Sequence, residues 1–415
     1  MIVSHGEVLL KKLIKFGVSE GIAKASPFVM SLYVASYLEP SSFANFGLLI
    51  VYFEIIFIFI SLNIQATTRI DFINEETCHF NKIKRIHSRV SFLNFLVIFT
   101  FCFLLDSNDI GIALLLAFSA LFRTCSSFIL SILQCSNRIN EYVIVNILYS
   151  IILSVSTIIL VNFDFGLMSW CYSLLLATIT QCIVSILIYG KSEFIKIIVG
   201  EIDKSMIKPT IFVAISFLPQ AVGWWLKNGA DRITIKKFFG DDSLGNYTLA
   251  FQLSSIIIIF TTVLNLAIVP VIGEKLKSGD NKKVKEILIM SSCIMLSVSV
   301  LLYFMTKLFL NLDYFSEYLL IEKYTVYIFV AAVVQSLMLI IINVLYFKGA
   351  GKIVAYTIVL LFSSQVIINY IFAEELGVVG IILNSILFNI LGSLYFLKKT
   401  YPFLNRSEHG NDIKI

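Results

Sequence analysis

Long apolar segments alternate with short polar ones along the whole chain. A helix needs about 20 mostly apolar residues to cross the roughly 30 Å hydrocarbon core of a membrane. Windows of that size, separated by polar or turn-forming clusters, predict twelve membrane-spanning helices, so we expect an all-α polytopic membrane protein. They fall near residues 17–38, 43–66, 90–105, 110–134, 142–162, 165–189, 209–230, 244–271, 287–306, 324–346, 353–372 and 376–397.

Composition also indicates a membrane protein. Hydrophobic residues make up 58% of the 415 residues and charged residues only 14%, and the mean hydropathy is +0.90. Soluble domains carry about 25% charged residues, so this chain cannot hide its apolar surface from water by itself. Because no segment outside the predicted spans is long enough to fold alone, we expect the function to lie within the bilayer.

Lysine and arginine are unevenly distributed between the connecting segments. If the spans alternate in direction, 24 of the 32 basic residues fall on one side. Cytoplasmic loops carry such an excess, so we expect both termini in the cytoplasm. The net charge of +5 then reflects membrane topology, and we do not expect a nucleic-acid partner.

A polar segment at residues 190–208 divides the predicted spans six and six. It predicts an N-terminal six-helix bundle (1–189), a cytoplasmic connector, and a C-terminal six-helix bundle with a cytoplasmic tail (209–415). A short internal repeat supports this division, because SFANFGLL (42–49) matches SLGNYTLA (243–250) at an offset of 201. Transporters use such parallel repeats with the substrate path between the halves.

Seven charged residues lie within predicted spans or at their ends. A charge at the bilayer centre costs about 2.5–3.5 kcal/mol on insertion scales, so each is a candidate for function or for a buried partner. The basic ones are Lys24, Arg123, Lys227 and Arg232, and the acidic ones are Glu20, Glu54 and Asp231.

Structural interpretations exist for the charges of the first half. Glu20 precedes Lys24 by four residues, the favourable order for a helical ion pair. Lys24 is also close enough to the inner edge of its span for its stem to reach the interface. Glu54 and Arg123 both fall near mid-depth, where a mutual salt bridge would neutralise them.

The charges of the second half allow both a structural and a functional interpretation. Lys227, Asp231 and Arg232 close the seventh span and could simply anchor a helix end. If the charges line a hydrated path instead, the basic residues suit an anionic substrate, since the forked donors of arginine match phosphate. The three carboxylates would then balance charge or bind a proton or sodium ion.

Signs of catalysis are weak. Asp241 and Asp242 could form the metal-binding pair of a membrane glycosyltransferase, but no His or Glu lies nearby to support it. The four histidines lack ligand-like spacing. The chain also lacks a phosphate-binding glycine loop and a nucleophile elbow. We therefore expect a protein that is not an enzyme and that needs no cofactor or metal.

Two runs resemble a known family. GVSEGIAKASPFVMSLYVASYLEPSSFANFGLL (17–49), followed by Arg69, resembles the opening of the polysaccharide-export branch of the multidrug/oligosaccharidyl-lipid/polysaccharide flippase superfamily. DRITIKKFFGDDSLGNYTLAFQL (231–253) resembles the second-half signature of that branch, an Asp-Arg pair followed by a glycine-bearing loop. Twelve spans in two six-helix halves extend the resemblance over the whole chain.

The resemblance implies two helical bundles around a central cavity that opens alternately to each side of a bacterial inner membrane. It implies a flippase for an O-antigen or related oligosaccharide repeat unit linked to undecaprenyl pyrophosphate. Lys24, Arg123, Lys227 and Arg232 would offset the phosphates, and Lys24 and Arg232 lie within the matching runs. The expected partners are this lipid-linked oligosaccharide, membrane lipids, H⁺ or Na⁺, and the glycan polymerase machinery.

Two other functions remain open. An ion-coupled drug or small-molecule exporter of the same superfamily would share the fold but would favour an acidic and aromatic cavity. A membrane polysaccharide polymerase is also apolar and many-spanned, but it would be expected to carry a large outer loop with catalytic groups.

Overall fold

The computed structural model describes residues 21–74, 77–104, 107–136, 138–310 and 313–405. Within these ranges the regular secondary structure is helical, and no strand is present. Helices satisfy every backbone hydrogen bond within their own segment, which hydrocarbon surroundings require. The structure confirms the predicted all-α membrane fold.

Fourteen α-helices succeed one another along the described ranges. Helix α1 covers residues 21–37. The others are α2 (Pro40–Ser61), α3 (Ile64–Asn74), α4 (Thr77–Cys102), α5 (Ser107–Cys135), α6 (Ile139–Asn162), α7 (Met168–Tyr189), α8 (Lys191–Val199), α9 (Lys204–Trp225), α10 (Asp231–Lys277), α11 (Asn281–Leu310), α12 (Ile321–Phe347), α13 (Gly351–Ile371) and α14 (Ala373–Asn405). A π-helical turn (Leu226–Ala230) joins α9 to α10, and a 3₁₀ turn (Asp313–Phe315) follows α11.

Each of the twelve predicted spans coincides with a helix. Nine stretches of the described chain are long and apolar enough to cross a membrane, with Lys204–Lys277 counted as one stretch. Gly240, at φ 80° and ψ −179°, breaks the helical path inside that stretch and separates the seventh span from the eighth. The two remaining spans are α1, whose predicted start lies outside the described residues, and α4, whose first half is polar.

The described residues pack into two compact units. The N-terminal unit contains residues 22–30 and 48–225, and the C-terminal unit contains residues 21, 31–47 and 226–405. These packing boundaries differ from the division drawn at the polar connector. The connector and α9 pack with the N-terminal unit, while the turn between α1 and α2 packs with the C-terminal unit. The six-and-six division of spans into bundles stays a prediction.

The polar connector folds as helix α8 with a short extended tail, and both are fixed to α4. Arg89 donates a hydrogen bond to the carbonyl of Gly200 at 2.8 Å, and the Lys82 ammonium lies 3.0 Å from the Asp203 carboxylate. Hydrogen bonds from Ser205 and Lys82 lower the pKa of Asp203 to about 2, so this carboxylate stays ionised at neutral pH. The connector is thus a structured part of the N-terminal unit.

The two copies of the internal repeat touch within the C-terminal unit. A Cβ added to Gly47 would lie 2.5 Å from the Thr248 methyl carbon, and one added to Gly245 would lie 2.0 Å from the Pro40 carbonyl oxygen. Gly47 and Thr248 are equivalent positions at the offset of 201. A contact between equivalent positions is what a two-fold relation produces at its axis. The contact supports the repeat, and small residues permit the close approach.

We expect Gly245→Ala to destabilise the protein, because the added methyl group would meet the backbone of Pro40, which cannot move aside as a side chain could. Overpacking of this kind costs about 1–3 kcal/mol. Gly111 is the matched control, since it is also helical and a Cβ there would meet nothing within 4 Å. Gly111→Ala should be neutral or stabilising by up to about 1 kcal/mol. Thermal unfolding in detergent checks both, and equal midpoints in the two variants would contradict the close approach.

Candidate functional site

The charged residues of the C-terminal unit lie at the π-helical turn between α9 and α10. Lys227, Asp231 and Arg232 have exposed fractions of 4%, 1% and 6%. A π turn inserts an extra residue into the helical repeat and is frequent at functional sites. An anchoring role at a helix end needs exposed side chains, so burial argues against that interpretation. We call these three residues the C-unit charge cluster.

Lys227 has a hydroxyl partner on a neighbouring helix. Its ammonium donates a hydrogen bond to the Ser385 hydroxyl of α14 at 2.7 Å and lies 6.0 Å from the Phe362 ring centroid. Lys227 and Ser385 also line a small cavity together with Tyr247 and Gln335. The space open to the centres of water molecules there is about 20 Å³, enough for one or two waters. The ammonium therefore has a polar partner and room for water within a mostly apolar lining.

Asp231 is held by side-chain amides. Its carboxylate accepts hydrogen bonds from Asn369 at 2.8 Å and from Gln365 at 3.3 Å. These two residues lie four positions apart on α13, so both amides face the same side of that helix. Asn384 of α14 donates to the Asn369 side-chain oxygen at 2.7 Å, which fixes the orientation of the amide. Neutral donors thus compensate the loss of water around the buried carboxylate.

Arg232 lies at the contact between the two repeat copies. Its guanidinium donates to the Gly47 carbonyl at 3.1 Å, and its central carbon lies 4.7 Å from the Phe251 ring centroid. The face of an aromatic ring attracts a cation, the more so when water is excluded. Together with Lys227, this residue gives the C-unit charge cluster two positive charges against the single carboxylate of Asp231.

Arg123 is a half-buried cation of the N-terminal unit. It lies on α5 and donates a hydrogen bond to the Gln181 side-chain oxygen at 2.5 Å, and its guanidinium carbon lies 4.1 Å from the Tyr149 ring centroid. Ser126 donates to the same Gln181 oxygen at 3.0 Å. These partners of Arg123 are neutral, and the mutual salt bridge with Glu54 that the sequence left open stays a prediction. Glu54 lies on α2 with an exposed side chain.

Lys24 lies half-buried on α1 in the N-terminal unit. Two residues further on, the Ser26 hydroxyl donates to the Ser154 hydroxyl of α6 at 2.8 Å, which fixes this part of α1 against α6. Glu20 lies outside the described residues, so its pairing with Lys24 stays a prediction. The structure thus brings Lys227, Asp231 and Arg232 together in one unit and places Lys24, Glu54 and Arg123 in the other.

Sequence reasoning missed the uncharged partners of these charges. Gln181, Gln365 and Asn369 are each 0% exposed inside apolar helices. The sequence did point to these residues, because burying a side-chain amide within an apolar span costs free energy unless the amide is hydrogen-bonded. Uncharged amides do not stand out by charge, so a criterion of charge within a span does not identify them.

Metal chemistry finds no support in the described part of the chain. No group of three or more His, Cys, Asp or Glu side chains there could hold a metal ion. Asp241 instead lies 3.2 Å from the Lys236 ammonium, in an ordinary ion pair.

Comparisons with known proteins agree with the resemblance seen in the sequence. Residues 9–276 match the family model described as "Polysaccharide biosynthesis protein", and residues 216–371 match the MatE model. A Haemophilus influenzae relative named "Uncharacterized membrane protein" is 24% identical, and the alignment covers 97% of this chain and 98% of the relative.

Solved structures of MATE and related transporters show the same fold. An inward-facing multidrug resistance MATE transporter aligns with a TM-score of 0.67 and 15% identity, covering 94% of this chain and 95% of that one. A mutant Vibrio cholerae MATE transporter aligns with a TM-score of 0.67 and 14% identity, covering 97% of this chain and 98% of that one. A Pyrococcus furiosus transporter of the same superfamily, described as having a binding pocket of reverse polarity, aligns with a TM-score of 0.61 and 15% identity, covering 95% of this chain and 97% of that one.

The first family model spans well over half of the chain, and the transporter structures cover nearly all of it. The structural neighbours are transporters rather than enzymes. The chain therefore belongs to the polysaccharide biosynthesis protein family, within the multidrug/oligosaccharidyl-lipid/polysaccharide flippase superfamily of multi-pass membrane transporters.

Proposed function

We propose that this protein moves an oligosaccharide repeat unit, linked to undecaprenyl pyrophosphate, from the inner to the outer leaflet of a bacterial inner membrane by alternating access. The observation that carries the proposal is the set of basic side chains inside membrane-spanning helices. Arg123 is held by neutral partners, and Lys227 and Arg232 outnumber the one carboxylate of their cluster. Both units thus offer positive charge to an anionic ligand.

The chemistry of this substrate explains the need for such charges. A sugar head group with many hydroxyls and two phosphates cannot cross hydrocarbon unaided, because each unsatisfied polar group there costs several kcal/mol. A transporter must replace the water that the head group loses. The guanidinium of Arg123, which is held by the neutral Gln181 and Tyr149, can add a phosphate without first breaking those contacts' charge balance, because neither partner carries a charge.

Each charged residue has a proposed role. Lys24 and Arg123 of the N-terminal unit, with Lys227 and Arg232 of the C-terminal unit, bind the pyrophosphate during transport. Asp231 balances the charge of its neighbours or couples transport to a proton or sodium ion. Glu20 and Glu54 are assigned the same coupling or balancing role on their charge and position in the sequence.

A second candidate is an ion-coupled exporter of drugs or other small molecules. The match of residues 216–371 to the MatE model favours it, as do the MATE structures with the same fold. A cationic drug would have to enter a unit whose buried cluster holds two basic residues and one acidic residue. We therefore place this function second.

Lys24→Ala and Arg123→Ala should each lower the amount of surface glycan at least tenfold, because each removes a cation that meets the phosphates. Neither should lower the amount of protein in the membrane. Glycan is measured by gel electrophoresis of cell-surface polysaccharide in a strain that depends on this gene. Lys196→Ala is the control, since Lys196 is 66% exposed and pairs with Glu193 on the connector helix. Normal glycan in both test variants would reject the assigned roles.

Asp231→Asn should separate ion coupling from charge balance. The new amide keeps the size of the side chain and one oxygen to accept from Asn369, so the fold should persist. If Asp231 carries the coupling ion, transport of a labelled lipid-linked oligosaccharide into proteoliposomes should lose its dependence on an imposed proton or sodium gradient. An unchanged dependence on both gradients would exclude Asp231 from coupling.

Ethidium export separates the two candidate functions. Cells carrying the protein should extrude ethidium no faster than cells that lack it, because an anion-binding site gives no advantage to a cation. Extrusion that is severalfold faster with the unmodified protein would favour the exporter.

A further inference from the structure

A large apolar groove runs along the N-terminal unit, and none of the charged residues discussed above that the structure describes lines it. It has a volume of about 780 Å³, measured as space for the centres of water molecules, and its lining surface is almost entirely apolar. Helices α4, α5 and α7 form its walls, and the connector helix α8 closes one end with Phe194 and Ile197. The small cavity beside Lys227, by comparison, holds about 20 Å³.

Helix α4 contributes one continuous stripe to the groove. Arg89, Phe92, Leu93 and Leu96 line it at spacings of three, four and seven residues, which place them on a single helical face. At 1.5 Å per residue, the stripe extends about 10 Å along the helix, or about a third of the hydrocarbon core. The groove therefore has the dimension and polarity of a site for a hydrocarbon chain.

Helix α5 repeats the pattern on the opposite wall. Leu121, Thr124, Cys125 and Phe128 line the groove at the same spacings. On α4 the side chains of Phe92 and Leu93 are 53% and 59% exposed, so the groove is open along this side. A hydrocarbon chain can enter it laterally from the membrane.

Arg89 is the one charged residue among those that line the groove. It lies where the polar half of α4 meets its predicted span, on the side that the distribution of Lys and Arg assigns to the cytoplasm. Its guanidinium donates to the carbonyls of Gly200 at 2.8 Å and Ile198 at 3.4 Å. Both acceptors are neutral, so neither cancels the positive charge. A lipid chain in the groove would place its phosphate beside this guanidinium.

We propose that this groove binds the isoprenoid chain of the lipid-linked substrate in the cytoplasmic half of the membrane, with Arg89 beside the phosphate. A phospholipid brings two acyl chains, whereas one groove with one cation at its end fits a single-chain lipid phosphate. The inference rests on the proposed function for the identity of the lipid. It adds a tail site, which recognises the carrier independently of the sugars.

The direct test uses a polyprenyl phosphate that carries a benzophenone group on its chain. The full-length protein is placed in nanodiscs of phosphatidylethanolamine and phosphatidylglycerol, irradiated, and digested for mass spectrometry. Label should map to the segments of α4 and α5 that line the groove. Leu93→Trp, which fills the groove, should lower labelling at least tenfold. Val97→Trp is the matched control, because Val97 is 49% exposed on the same helix but does not line the groove.

Arg89 is tested by changing the ligand as well as the protein. Arg89→Gln should lower labelling by the polyprenyl phosphate severalfold while labelling by the matching uncharged polyprenol stays unchanged. Arg89→Lys should restore the phosphate preference, which a purely structural role in holding α8 would not require. If Arg89→Gln lowered labelling by polyprenyl phosphate and by polyprenol equally, the proposed contact between Arg89 and the phosphate would be wrong.

Three results would overturn the tail site, and two of them are measured on the unmodified protein itself. These are label that maps outside the groove, labelling that Leu93→Trp and Val97→Trp lower equally, and displacement by phosphatidylglycerol as effective as by unlabelled polyprenyl phosphate. The assay needs neither sugar nor transport. If glycan export proves normal in Lys24→Ala and Arg123→Ala, the proposed head-group site fails while the tail site is judged by its own labelling.

Discussion

A charge within a bilayer must have a partner there, and the choice of partner decides what the charge can still do. An ion pair cancels the field of both members, whereas a neutral amide, hydroxyl or aromatic ring lowers the cost of burial and leaves the net charge in place. Arg123 is bound by Gln181 and Tyr149, and Lys227 by Ser385. These cations are stable enough to be built into membrane helices and still able to attract an anion.

The charges at the π-helical turn have hydrogen-bond partners on different helices. Lys227 and Asp231 lie four residues apart, and their opposite charges attract each other. Here Lys227 is bound by Ser385 of α14, while Asp231 is bound by Gln365 and Asn369 of α13. Since the two residues have partners on different helices, removing one leaves the hydrogen bonds of the other intact. The cluster therefore combines one carboxylate with two cations, and this arrangement is what the proposed function assigns to ion exchange and to substrate binding.

Hydropathy was sufficient to predict the spans, because the bilayer imposes the same length and composition on every helix that crosses it. The charged candidates followed from the same argument, since Lys227 and Arg232 stand out against an apolar background. Their partners did not, because Gln181 lies 58 residues from Arg123 and Asn369 lies 138 residues from Asp231. Contacts over such separations depend on how helices pack, which a single sequence does not encode in a readable pattern.

Packing also explains the boundary that the sequence placed elsewhere. The connector was recognised by its polarity, and polarity says where the chain leaves the membrane rather than what it packs against. Arg89 and Lys82 of α4 bind the connector, so it belongs to the N-terminal unit. The contact of Gly47 with Thr248 was likewise invisible in the sequence, although the repeat that contains both was detected.

Under the proposed function, the groove and the cations within the spans would meet two opposite demands of one amphiphilic substrate. A lipid-linked sugar is soluble in the membrane through its tail and insoluble through its head, so a carrier for it needs apolar contact and polar contact at once. Arg89 lies between the apolar and polar surroundings, since its side chain lines the apolar groove while its guanidinium donates to a carbonyl of the connector. Because the phosphate is the part that every such lipid shares, a site that recognises tail and phosphate can serve sugars of any sequence.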